Sequence, residues 1–454
     1  MAGNDPETRA RLMRLYDAAV KDAMPGHCLP PHLPVPPEPE HGRLVIFAIG
    51  KAAASMAAVA EDWYDEHYPG THIEGLALTR YGHGRPTRHV EVLEAGHPIP
   101  DAAGEAGSKR LLRLAEWLGP EDLALVLLSG GGSALTVQPM QGLTLEDEIF
   151  LTRALLASGK PIGDINCVRK HISRIKGGRL AETIHPARSV TLAISDVAGD
   201  DPSTIASGPT VPDTTAKARV MAVLDSLTPP IPEDLRERIA ALPETPKPGD
   251  GMFSHAVYKL VASGTGSLGA AAAIARAEGY EPIALGDAIE GEARELAQQH
   301  AARALTARAG GRKAAIISGG EAGVTFGGGE HGRGGPNQEY ALALAIALNG
   351  AAGISALAAD TDGIDGGSGA KDDPAGAIVT PSTLARAREK GLDPQSFLER
   401  HDSGTFFAEL GDLVKTGPSY TNVNDFRVIL IERPESPARE KPEQGPAEDR
   451  SSPL

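Results

Sequence analysis

Cysteine, aromatic residues and long apolar runs are all scarce. Two cysteines in 454 residues, Cys28 and Cys167, build no disulfide framework, so a reducing, cytoplasmic setting is the expectation. No apolar run approaches the roughly 18 residues that a membrane span needs. The first twenty residues are charged and amphipathic, without the apolar centre of a signal peptide. Basic charge is also short: 44 Lys and Arg face 60 Asp and Glu, for a net charge of −16. Nucleic acid and anionic membranes are therefore disfavoured as partners. Aromatics make up only 4 %, so the core must come from Ala, Val, Ile and Leu. Glycine, in contrast, is plentiful, with 53 residues. A chain this long exceeds one comfortable core and is expected to form two units.

Short apolar runs alternate with alanine-rich helical stretches. Strands are predicted at 44–49, 123–128, 190–194, 257–262, 314–317, 354–358 and 428–431, and helices at 52–64, 106–117, 270–278, 290–309 and 338–347. Continuous apolar runs ending in Gly, Ser or Asp are the mark of strands buried on both faces. The expected class is α/β: two domains with largely parallel, Rossmann-like sheets flanking a cleft. The boundary is placed between 1–246 and 247–433, with 242–251 (LPETPKPGDG) as linker and 434–454 as a disordered tail. Residues 30–41 (PPHLPVPPEPEH) are a proline-rich surface loop or arm, which leaves a homodimer open. No internal repeat is found.

Ligands of open parallel sheets sit beyond the carboxyl ends of strands, so the residues just past each strand carry the most information. Lys51 comes after the first strand, in the first turn of a helix whose dipole disfavours a cation. Either an anion sits nearby or the ammonium reaches into water. Ser129-Gly130-Gly131-Gly132-Ser133 comes after the second, either a backbone nest for phosphate or carboxylate or a tight turn. Residues 166–181 carry Arg169, Lys170, Arg174, Lys176 and Arg179 with no acid. Val168, Ile172 and Ile175 give them one buried helical face, stopped by Gly177-Gly178. Arg169 and Lys176 are candidates for substrate or phosphate; His171 reads as a packed polar residue. Asp196, Asp200 and Asp201 at a strand end suit Mg²⁺ or a general base, with Asp201 before Pro202 also suited to a helix cap.

Residues 264–269 match GxGxxG after a strand, with Asp287 eighteen residues past Gly269. Gly264, Gly266, Gly269 and Asp287 are thus nucleotide candidates, joined by Gly320 and Glu321 after another strand. In 327–337 (GGGEHGRGGPN), Arg333 is set to reach a phosphate, unless the glycines mark a mobile lid. Asp362 and Asp365 in 361–366 are metal-directed or turn-forming.

Together these segments resemble the class II glycerate kinase family, whose second half is the MOFRL domain. The matching pieces are AIGKAAASMA (48–57), GHPIPDAAG (96–104), LLSGGGSAL (127–135), INCVRKHISRIKGGRLA (165–181), SDVAGDDPSTIASGPT (195–210), ISGGEAGVTF (317–326), GRGGPNQEYALALA (332–345), DTDGIDG (360–366) and TGPSYTNVNDFRVILI (416–431). The resemblance implies phosphoryl transfer from ATP to D-glycerate, usually at the 2-hydroxyl, with Mg²⁺ or Mn²⁺. It implies that Lys51 contacts substrate or the transferred phosphoryl group, that 129–133 holds an anion, and that Asp196 is base or metal-directed. Arg333 falls in the family's basic glycine-rich segment, and Asp196, Asp200 and Asp362 are the metal candidates. Pro336 stands where many members carry a second arginine, and Tyr420 interrupts a run of small residues. The rival is an NAD(P)H-dependent hydroxypyruvate reductase, resting on 264–269 and Asp287. It gives Lys51, the serine–glycine loop and the aspartates little to do. A non-enzymatic anion receptor is a third class, and it would not gather carboxylates beside its site.

Overall fold

The computed structural model describes residues 6–327, 331–366 and 372–433. Six strands form the first sheet: β1 (Leu44–Ile49), β2 (Ile73–Arg80), β3 (Val90–Ala95), β4 (Leu123–Leu128), β5 (Arg188–Ile194) and β6 (Ala256–Ala262). They run in the order β3-β2-β1-β4-β5-β6, all parallel. β1 (LVIFAI) and β4 (LALVLL) are buried along their whole length, as central strands covered on both faces require. Strand order reverses between them, and an open α/β sheet leaves a crevice at the carboxyl ends of such a pair. Gly50-Lys51 and Ser129-Gly130 lie just past those two ends.

Beyond it come β7 (Glu281–Gly286), β8 (Glu290–Glu292), β9 (Ala314–Ser318), β10 (Glu321–Gly323), β11 (Ile354–Asp360), β12 (Gly376–Val379), β13 (Leu413–Val414) and β14 (Asp425–Ile431). The second sheet has the order β13-β12-β11-β14-β9-β7; β8 and β10 pair separately. Here the expectation of a largely parallel sheet is corrected. Only β7 and β9 are parallel, and the other four pairings are antiparallel. Among the described residues no helix separates β11 from β12 or β13 from β14. A parallel pair needs a long crossover, whereas antiparallel neighbours close with a loop.

The sheets do not divide at residue 246. β6 completes the first sheet beyond that point. Helix Pro6–Ala23 crosses the other way: Leu12, Leu15 and Tyr16 pack with Phe426 and Val428 of β14. Residues 242–251, read as a linker, are tied down: Thr245 is buried and its hydroxyl donates to Asp213 (2.9 Å), while Pro246 accepts from the Asp213 amide. The basic stretch is two helices, Ile162–His171 and Arg179–Ile184, rather than one. Its periodic apolar face holds to Ile172, where the chain leaves helical geometry. His171 is buried, with its ring nitrogens toward Cys167 O (2.9 Å) and Glu244 (3.3 Å), as a packed polar residue. The tail expected at 434–454 lies outside the described residues.

Candidate active site

Lys51 stands where the two sheets face each other. Its amide donates to Gly130 O (2.8 Å), locking the β1 end to the β4 end. Its ammonium lies 3.5 Å from Asp362 Oδ2, in the loop after β11. Burial alone would lower the lysine pKa. Asp362, Asp360 and Asp196 outweigh that and hold it above the ordinary value, so the ammonium stays charged.

Asp196, at the end of β5, completes the group. A Cβ on Gly130 would fall 1.6 Å from Asp196 Oδ2, so the carboxylate occupies space that only glycine leaves open. Asn422 Nδ2 donates to the same oxygen (2.9 Å). Burial pushes the Asp196 carboxyl up, opposed by Lys51. Asp360 is raised further, by burial and by Asp362 and Asp425 beside it. The two aspartates of 361–366 divide their labour. Asp362 faces Lys51, whereas Asp365 accepts the amides of Asn337 (2.9 Å) and Gln338 (2.8 Å) and caps helix Pro336–Leu348. Burial lifts the Asp365 carboxyl to about 7.

The opposite side of Lys51 is cationic. Arg80 ends β2, His83 comes after it with Nδ1 3.3 Å from Lys51 O, and His97 lies past β3. Burial, then Lys51, Arg80 and Arg169, bring His97 down to about 4, so it is neutral near pH 7. Arg169 is half-buried and held below its ordinary value by burial. Neither Arg80 nor Arg169 forms an ion pair among the described residues. Sequence reasoning passed over His83, His97, Asp360, Asn422 and Asn424. Only their places in the resembling segments hinted at His97, Asp360 and the two asparagines.

Other candidates are placed elsewhere or are already engaged. Lys176 forms a buried ion pair with Glu148 (2.9 Å), both nearly inaccessible, so it is not offered to a ligand. Ser129 Oγ accepts from Ala52 N (3.0 Å) at the start of helix Ala53–His67, and Ser133 Oγ meets Ser207 Oγ at 2.7 Å. Gly131 faces the His97 ring, and Gly132 begins the short helix Gly132–Leu135 against Ala206. Asp200 acts electrostatically on Tyr258 of β6, and Asp201 accepts from Ser203 and Thr204 as a turn cap.

Residues 264–269 do lie past a strand and open a helix, Gly264–Ala277, capped by Ser263. The next strand, β7, lies in the other sheet, so this is not the single-sheet βαβ unit of a dinucleotide fold. A Cβ on Gly264 would meet Asp287 and one on Gly266 would meet Asp22, while Gly269 is open. Thr265 Oγ1 donates to Asp287 Oδ2 (2.7 Å). Two carboxylates thus crowd the helix start that a pyrophosphate would need. Gly320 lies against Ile289 next to that corner. Glu321 is exposed, its carboxyl pushed up by the surrounding protein, Asp425 and Asp196. Arg333 is exposed, its amide held by Asp402 (2.9 Å). A Cβ on Gly335 would strike Asp365 O at 2.1 Å, so this glycine serves a close backbone approach; 328–330 lie outside the described residues.

Among the described residues no three His, Cys, Asp or Glu side chains converge as a metal cage. Magnesium bound with substrate phosphates keeps water and needs only one or two carboxylates. Asp196 and Asp362, buried like charges opposed by one lysine, fit that demand; Asp200 stands apart. A cavity of about 660 Å³ at the far end of β9 is lined by Arg276, Arg312 and Lys313. Its cations are partly spent, Arg312 on Glu281 and Lys313 on the Tyr280 ring and Glu278 O.

Residues 11–240 match the family described as "Domain of unknown function (DUF4147)" and 314–425 match the MOFRL family. The chain is 36% identical to a D-glycerate 2-kinase of Thermotoga maritima, over 94% of this chain and 99% of that one. The chain belongs to the DUF4147/MOFRL glycerate kinase family. A crystal structure of glycerate kinase from Thermotoga maritima superposes with a TM-score of 0.82 at 35% identity, covering 94% of this chain and all of that one. Another member, 47% identical over 95% of this chain and 96% of its own, is named "Putative hydroxypyruvate reductase" in Agrobacterium vitis. In this chain Lys51 and Asp196, past the ends of β1 and β5, meet Asp360 and Asp362 of the second sheet in one group of charges.

Proposed function

We propose that this chain transfers the γ-phosphoryl group of ATP to D-glycerate, at the 2-hydroxyl, giving 2-phosphoglycerate and ADP. The observation that carries the reading is Lys51 between Asp362 of one sheet and Asp196 of the other, with the cationic side chains beyond it. Phosphoryl transfer asks mainly for positioning and for charge stabilisation around the transferring group. The carboxylate of glycerate is assigned to the wall of Arg80, His97 and Arg169. A half-buried guanidinium without an ion-pair partner there gains from a carboxylate. Lys51 meets the charge developing on the phosphoryl oxygens, and Arg333, exposed at the rim, reaches the outer phosphates. Asp196 is placed to take the hydroxyl proton as the oxygen attacks phosphorus and the bond to the ADP oxygen breaks. Mg²⁺, held by Asp362, would neutralise phosphate charge.

The name of the Agrobacterium vitis relative suggests nicotinamide reduction of hydroxypyruvate instead. Asp22 and Asp287 at the start of helix Gly264–Ala277, and β7 in the other sheet, speak against a dinucleotide there. One assay separates the readings. Purified protein with D-glycerate, ATP and Mg²⁺ is followed for ADP, beside hydroxypyruvate with NADH or NADPH followed at the nicotinamide absorbance. ADP formation is expected; nicotinamide oxidation without ADP would replace the kinase by the reductase.

A further inference from the structure

Asp196 leaves the first sheet, yet its grip comes from the second. In the loop before β14, Asn422 Nδ2 donates to Asp196 Oδ2 (2.9 Å), and Asn424 Nδ2 donates to the Asp196 carbonyl oxygen. One residue is thus held at side chain and main chain by two residues more than two hundred positions away. The gripping loop is itself anchored to the Asp362 loop. Ser419 N donates to Asp362 O (2.9 Å), Ser419 Oγ to Thr361 O (2.6 Å), and Thr361 Oγ1 to Asn424 O (2.6 Å). Thr421 Oγ1 ties it to helix Pro6–Ala23 through Ala23 O (2.6 Å). Asn424 holds a left-handed φ of 66°, a conformation asparagine tolerates better than most residues.

We propose that Asn422 and Asn424 are positioning residues: they set the Asp196 carboxylate against Lys51 and Asp362, so that the halves of the site carried by the two sheets come into register. Neither touches the reacting atoms; they act through Asp196. The proposal rests on the kinase reading. Of the two asparagines Asn422 meets the carboxylate, and Gly130 packs against the same oxygen, where a Cβ would not fit. A small displacement of a reacting group is enough to slow a positioned transfer about a hundredfold.

Two substitutions separate donor chemistry from packing. Asn422→Asp keeps the shape but replaces the donor by a second carboxylate. Asn424→Gly keeps the left-handed backbone and removes the side chain with its donor. With D-glycerate, ATP and Mg²⁺, Asn422→Asp is expected to lower kcat about a hundredfold and Asn424→Gly about tenfold. KM for both substrates should stay within about threefold, with the melting temperature of Asn424→Gly near that of the unaltered protein. Either variant retaining kcat within about twofold, or a loss confined to KM, overturns the proposal. If Asn422→Asp does not fold, Asn424→Gly decides alone. An unaltered protein that forms no ADP overturns the kinase reading and this proposal with it. An active parent with unaffected variants overturns the proposal alone.

Discussion

Gly130 and Asp196 occupy one space: a Cβ at residue 130 would lie 1.6 Å from Asp196 Oδ2. The glycines of Ser129–Ser133 read in sequence as a phosphate nest or a tight turn. At position 130 the structure adds another reason, the seat of a carboxylate from the neighbouring strand end. Gly130→Ala is therefore expected to displace Asp196 and lower kcat about a hundredfold, measured as ADP release. An alanine variant with unchanged kcat would show that Asp196 is free to move without loss.

Lys51→Ala removes the ammonium set among Asp196, Asp360 and Asp362. Two effects are expected. ADP formation should fall at least about a hundredfold. With the counter-charge gone, burial pushes the Asp196 and Asp360 carboxyls up further, visible as proton uptake relative to the unaltered protein.

Lys176 and Glu148 form a buried ion pair, and breaking one side leaves an unpaired buried charge. Lys176→Met should cost about 3–5 kcal/mol of stability in denaturant unfolding. A second change, Glu148→Leu, should return most of it. KM for D-glycerate in the double variant should match the parent, which separates Lys176 from substrate binding.

His300, buried against the Tyr340 hydroxyl (2.8 Å), is lowered to about 4 by burial and by Arg427 and Arg303. The unfolded chain binds a proton at the ordinary value of 6.5. Between those values the unfolded state carries more protons, so this histidine's contribution is complete above the window and is lost as pH falls through it. The expected size is on the order of 3 kcal/mol. Asp365, raised to about 7, acts with the opposite sign, so the test is a difference. The stability of His300→Gln relative to the parent should rise as pH falls from 6.5 towards 4.

Chelation of divalent cations should abolish ADP formation, and added Mg²⁺ or Mn²⁺ should restore it. Asp362→Asn should raise the Mg²⁺ concentration required at least about tenfold.

Much of this molecule was legible in its sequence. Buried parallel strands announce themselves as continuous apolar runs, and LVIFAI and LALVLL proved to be β1 and β4, flanking the switch point. Lys51 stood out because a cation in a first helical turn calls for an anion; in the structure it stands one residue before Ala52, the N-cap of helix Ala53–His67. β7, with a burial pattern mixed between exposed and half-buried, gave no comparable signal. Lys176 and Arg169 look alike on the chain, seven residues apart in one basic stretch. One is neutralised by Glu148, from a helix the sequence does not pair with it, while the other acts on His97 beside Lys51.

The sequence by itself determined the α/β class, the strand ends that meet in the candidate site, and the family. Those are local or cumulative properties: apolar runs, glycine spacing and motifs in order. Tertiary structure alone decided that the second sheet is mixed, that Asp365 caps a helix while Asp362 faces Lys51, and that Asn422 grips Asp196. Each depends on which strands become neighbours. A side chain's charge and reach are written at its own position, but its partner is set by a packing that brings residues 196 and 422 within 2.9 Å.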